Sequence, residues 1–195
     1  RLGKKLLITG KGRCNVTNDC TLDEFMREVP RNPRFLYSAL SYFGPQHMME
    51  LLEDGGFGHG LEADNLNPAS SPITTLTAAD ILDEIGWTDG SHPIIQGMLR
   101  YLASGDSFDV AHNQWMNTIP SNNDHPHACW WGYDGKDDFR YNPTAGLAAF
   151  ILRYADPATA LWAKGLEIAK EATGWFLAGN GNGERHVVGC FVPLY

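Results

Sequence analysis

Apolar positions recur at helical spacing through most of the chain. Ala78, Ile81, Leu82 and Ile85 fall at i, i+3, i+4 and i+7, as do Ile95, Met98, Leu99 and Leu102. Leu147, Phe150, Ile151 and Tyr154 repeat that spacing after Asn142-Pro143. A further helix, opened by Asp156-Pro157, is expected to bury Leu161, Gly165, Ile168, Ala169, Ala172 and Phe176, its small positions suiting close helix approach. Residues 184–195 read as a last helix that Pro193 ends. Asn67-Pro68 and Asn142-Pro143, 75 residues apart, each stand ahead of a helix, a turn and a second helix. The pattern predicts a mainly α fold of stacked αα-hairpins. Such arrays cover their apolar faces with neighbours. Two hairpins are few, so an exposed apolar face and self-association are expected.

Residues 1–55 have another texture. Lys4-Lys5-Leu6-Leu7-Ile8-Thr9 is a short apolar run ended by Gly10, which predicts a strand. Thr21-Leu22-Asp23-Glu24 has the capping-box spacing and predicts a helix start. Asn32-Pro33 predicts another, with Phe35, Leu36, Ala39, Leu40 and Phe43 on one face. Gly44-Pro45 breaks it, and Met48, Met49, Leu51 and Leu52 mark a third short helix. The change of texture divides the chain into 1–55 and 56–195, with a seam near Asp54-Gly55.

Charge changes at the same place. Residues 1–55 hold 8 basic and 7 acidic side chains, leaving 7 and 16 for the remainder. The net charge of −8 argues against a nucleic-acid partner, whose phosphates need neutralising. With 43% hydrophobic and 19% charged residues the composition is globular, and no run of about 18 apolar residues predicts a membrane span. The four cysteines, at 14, 20, 129 and 190, form no Cys-x-x-Cys pair. Neither a zinc ribbon nor a redox dithiol is expected, and no other metal site is assigned. Free thiols and the lack of a signal-peptide pattern in the first ten residues point to a cytoplasmic protein.

The loop Gly10-Lys11-Gly12-Arg13-Cys14-Asn15-Val16-Thr17-Asn18 brings backbone N–H groups and two cations to one point after a strand. A pyrophosphate needs both, because Gly lets amides approach closely and Arg binds oxygens in pairs. Spacing alone equally describes a tight basic surface turn. The string from Lys4 to Asn18, followed by Asn32-Pro33-Arg34-Phe35-Leu36-Tyr37-Ser38-Ala39-Leu40, resembles the BaiN-like NAD(P)/FAD-dependent oxidoreductases over roughly residues 1–55. The resemblance implies a strand-loop-helix fragment of an FAD-binding fold, with FAD as cofactor. It implies flavin contacts at Gly10, Gly12, Arg13, Asn15 and Thr17. No Gly-x-Gly-x-x-Gly turn precedes the loop, so flavin binding is expected to be weak or nil.

Residues 56–195 concentrate aromatic, acidic and histidine side chains. Asn122-Asn123-Asp124-His125-Pro126-His127-Ala128-Cys129-Trp130-Trp131 and the stretch from 54 to 72 are similar to bacterial proteins related to the terpenoid cyclase and prenyltransferase α/α toroids. That likeness implies an incomplete toroid, with the loop 115–141 lining a central site. Candidate catalytic residues are Asp64, Asp124, His127 and Asp134, with His125, Asp137, Asp138 and Glu62 beside them. Trp115, Trp130 and Trp131 could stack on a sugar or an isoprenoid chain. The same residues also suit a long loop knitted by Asp/Asn turns and aromatic packing, which is the reading favoured here, since no known ligand spacing is matched.

Because both likenesses meet at Asp54-Gly55-Gly56, a chimera of two incomplete pieces without complete activity is the leading expectation. An FAD-dependent oxidoreductase fragment and a carbohydrate- or isoprenoid-binding module are the alternatives.

Overall fold

The computed structural model describes residues 21–28, 54–58, 61–62, 64–181 and 184–194. Two compact units divide the chain, Arg1–Glu50 and Leu51–Tyr195. In the first, helix α1 (Leu22–Glu28) opens on the expected capping box: Thr21 N–H donates to Glu24 Oε2 at 2.8 Å, and Glu24 N–H donates back to Thr21 Oγ1 at 3.3 Å. The Thr21 N–H and the Thr21 hydroxyl, each donating to Glu24 Oε2 at 2.8 Å, hold the Glu24 carboxyl below the usual carboxylate range. The expected strand at 4–9, the loop at 10–18 and the helices after Asn32 and Gly44 lie outside the described residues.

The second unit is built from α2 (Pro72–Glu84), α3 (Pro93–Ser104), a hairpin of β1 (Phe108–Asp109) and β2 (Gln114–Trp115), α4 (Thr144–Tyr154), α5 (Ala160–Leu177) and α6 (Arg185–Phe191). The hairpin is antiparallel, with Phe108 opposite Trp115. Short 3-10 turns at Pro120–Asp124 and Cys129–Trp131 punctuate the long connection between β2 and α4.

Helix α4 is the centre of the core. Eight successive residues, Thr144 to Ile151, are buried, so the helix is covered on every side. A helix that is apolar all round belongs inside. It packs on α5, α2, α6 and α3. Contact with α5 is close because a β-carbon on Gly165 would stand 2.7 Å from Ile151 Cγ2. Ile95, Met98, Leu99 and Leu102 of α3 are buried as the spacing predicts, each contributing about 1.5–3 kcal/mol through burial. Leu147, Phe150 and Ile151 of α4 and Gly165, Ile168, Ala169 and Ala172 of α5 are buried as well.

Helix α2 departs from its predicted face. Ile81 and Ile85 are 43% and 66% exposed, whereas Ile73, Leu76, Ala78 and Ala79 are buried. The helix starts later than Asn67-Pro68 suggests, at Pro72, with Ser71 as the N-cap accepting from Thr74 N–H. Its first turns enter the core and its end runs out of it. The last segment is α6 followed by a 3-10 turn at Val192–Leu194, as Pro193 requires.

The seam residues are built into this helical unit. Phe57 pairs with Ser71 in a β-bridge, and Phe57 N–H donates to Thr75 Oγ1 at 3.1 Å. Asp54 accepts from Gly56 N–H at 2.8 Å and from the Ser70 hydroxyl at 2.6 Å. Gly55 adopts φ +82°, and a β-carbon there would stand 2.1 Å from the Gly97 carbonyl oxygen of α3. Only glycine meets both conditions.

Candidate functional site

The long connection between β2 and α4 is shaped by side-chain amides and carboxylates bonding backbone groups. Asn122, 1% exposed, accepts from Asn67 Nδ2 at 2.8 Å and donates to the Trp131 carbonyl at 2.9 Å. Asn67 thus serves this network instead of capping a helix. Asn123 Nδ2 donates to the Tyr133 carbonyl at 2.8 Å while Tyr133 N–H donates to Asn123 Oδ1 at 2.9 Å. Asp137 accepts from Asn117 N–H at 2.6 Å.

These bonds also absorb much of what the sequence offers as catalytic. Asp64 Oδ1 accepts the Trp131 indole N–H at 2.7 Å, and its carbonyl accepts from Ala128 N–H. His127 sits 2.7 Å from the His125 carbonyl through Nδ1, in a bridge to Asn65. Asp134 accepts from Lys136 N–H in an exposed turn, and Asp124 ends a 3-10 turn, exposed. None of these four lines the cleft that Trp130 and Trp131 reach. Gly10, Gly12, Arg13, Asn15 and Thr17 lie outside the described residues. Among the described residues, no three His, Cys, Asp or Glu side chains gather as a metal site.

Of the three tryptophans, Trp115 is 2% exposed, packed edge-on against Phe108 with ring centroids 4.9 Å apart. It belongs to the core, because the hairpin strand that carries it turns inward, and it is not part of a ligand wall. Trp130 and Trp131 do reach a cleft of about 760 Å³ in the helical unit. Ile73, Leu76 and Gly146 give it an apolar lining. Its polar residues come from three separated segments. Glu62, Thr77 and Asp80 come from the loop before α2 and from α2 itself, with Thr77 donating to Glu62 Oε1 at 2.5 Å. Asn117, Asp138 and Arg140 come from the long connection, and Glu184, Arg185 and His186 from the start of α6. A second cavity of about 170 Å³ shares Leu76, Asp80, Gly146 and Pro193 with the first.

The electrostatics are uneven. Desolvation and the neighbouring Asp83, Glu84 and Glu62 push the Asp80 carboxyl above the usual range, although its side chain opens onto the cleft. Asp138 is raised by desolvation and Asp137, against the pull of Arg140, 3.7 Å away. Glu184 is lowered, because its carboxylate accepts from Val187 N–H at 2.7 Å and from His186 N–H at 3.3 Å as the cap of α6. Burial pushes the Cys190 thiol up to about 12, which disfavours the reactive thiolate form.

Asp80 is not among the sequence candidates, although it is the lone carboxylate between Leu76 and Leu82. Arg140, Glu184 and Arg185 are not among them either, since only the fold brings them together.

A family model described as the HI0933-like protein Rossmann domain matches residues 1–77. The match includes the Gly-Lys-Gly-Arg loop and runs past Asp54-Gly55 into the start of α2. No solved structure matches the chain. Neither comparison supports the toroid, cyclase-like or chimera expectations for 54–195. Among the described residues, no helix is long and apolar enough to cross a membrane.

Proposed function

We propose that the chain carries part of the dinucleotide-binding region of an FAD-dependent oxidoreductase, with the loop at 10–18 as its flavin contact. The observation that carries this reading is the Rossmann-domain match over residues 1–77. The loop's chemistry agrees with it. Glycine at 10 and 12 suits close approach of backbone N–H groups to a pyrophosphate, arginine at 13 is a paired donor by its chemistry, and Asn15 and Thr17 are polar residue types. Charge distribution agrees too: residues 1–55 carry a net +1, against −9 for the remainder, so the anionic cofactor meets the less repulsive end. Bound FAD would supply the electron transfer, and the loop would hold and orient it.

Titration of the full chain with FAD, followed by quenching of flavin fluorescence, tests the reading. Saturable quenching, weakened about tenfold by Arg13→Ala through loss of a charge-assisted contact, is the expected result. Absence of saturable quenching, or equal binding by the variant, would overturn it.

A further inference from the structure

We propose that the 760 Å³ cleft of the helical unit binds a neutral saccharide, with a sugar face laid on Trp130 and its hydroxyls bonded by Asp80, Asn117 and Arg140. The proposal does not depend on the flavin reading.

The composition of the wall selects the ligand. A sugar hydroxyl both donates and accepts, so it is matched by a surface that holds acceptors and donors side by side. Carboxylates at Glu62, Asp80 and Asp138 lie along one cleft with the guanidinium groups of Arg140 and Arg185 and the amides of Asn117 and Asn142. An anionic ligand would meet four carboxylates, counting Glu184, against two arginines. A polyamine would meet both arginines, and no three of the acids converge to hold a concentrated cation among the described residues. An isoprenoid chain would strip water from the carboxylates and return no hydrogen bond, which is costly. A neutral polyol avoids all three penalties.

Three further observations fit. Trp130 is 64% exposed on the cleft wall, an unusual position for so large an apolar ring. Trp131 beside it is fixed at both its indole N–H and its carbonyl, by Asp64 and Asn122. The platform therefore stands on an anchored neighbour. The Asn117 amide, also on the wall, adds a neutral group that both donates and accepts. Finally, the cleft adjoins the 170 Å³ cavity, with which it shares Leu76, Asp80, Gly146 and Pro193, so an oligosaccharide would have room beyond a single residue.

The full chain, fluorescently labelled, is applied to an array of neutral oligosaccharides, with spermidine, farnesol and inorganic phosphate titrated in parallel by tryptophan fluorescence. Retention on at least one neutral glycan, weakened about tenfold by Trp130→Ala and also weakened by Asp80→Ala, is the expected result. Because the Trp130 ring is exposed, its removal leaves the core intact, and an unchanged melting curve of the variant confirms that folding is not the cause. Three results would overturn the proposal: no retention on any neutral glycan, retention indifferent to both variants, or saturable binding of spermidine, farnesol or phosphate in place of sugar.

Discussion

Gly55 and Gly97 meet backbone to backbone: the Gly55 α-carbon stands 3.2 Å from where a β-carbon on Gly97 would lie. The Asp54-Gly55 seam is therefore a packed part of the helical unit. Replacing Gly55 by Ala adds the cost of a left-handed residue to that of a β-carbon driven into the Gly97 carbonyl. A loss of about 2–4 kcal/mol is expected. Gly105→Ala is the comparison, since Gly105 also has positive φ but open space around it, and about 1 kcal/mol is expected there. Urea unfolding followed by tryptophan emission measures both, because all six tryptophans lie beyond residue 55.

Asn122→Ala removes both the acceptor for Asn67 Nδ2 and the donor to the Trp131 carbonyl in a buried setting. Orphaned buried groups are costly, so a destabilisation of about 2–4 kcal/mol is expected. The same variant frees the backbone under the tryptophan rim. Tryptophan emission of the folded variant should shift to the red, and an unshifted spectrum would count against the network's role.

Stability should respond to pH through Asp80. Its carboxyl is raised in the folded state, so the native protein holds the proton more tightly than the unfolded chain. Stability from this group is then present in acid and declines as pH rises from the ordinary carboxylate range through the raised one. Asp80→Asn keeps a neutral side chain at every pH. The variant should melt higher than the wild type at pH 7, and the gap should close toward pH 4. A gap of constant size would show that charge is not the cause.

Cys129 and Cys190 should differ sharply toward a thiol reagent. Cys129 is exposed, whereas Cys190 is buried, donates to Asn142 Oδ1 at 3.1 Å and has its thiol pushed up to about 12. In native protein at pH 8, Cys129→Ser should lower the titratable thiols by one, and Cys190→Ser should leave the count unchanged. In denaturant each variant should lose one.

The sequence exposes the helices best where packing is symmetric about a single stripe. Ile95, Met98, Leu99 and Leu102 declare their face because α3 is covered along its whole length. Ile81 and Ile85 mislead because periodicity reports which residues share a side, not whether that end of the helix reaches the core. The helix expected after Asn67-Pro68 begins only at Pro72 for a similar reason: Asn67 is spent on Asn122, 55 positions away. The cleft was hidden for the most part. Trp130 and Trp131 drew attention as an aromatic pair, but Asp80, Arg140 and Glu184 come from three distant segments. Trp115 looked equivalent to its two partners in composition and turned out to be a core residue, since the direction of a two-residue strand is set by its hairpin.

The burial of α4 on all sides has a practical consequence. Its neighbours α2 and α3 precede the exposed, unobstructed Gly135, while α4, α5 and α6 follow it. A backbone break at Gly135 would leave two pieces, each with an uncovered apolar surface shaped to the other. Expressed apart they should be insoluble or unfolded, and expressed together they should reassemble. The helical unit thus lends itself to use as a split-protein sensor, its recovery reporting that two fused baits have met.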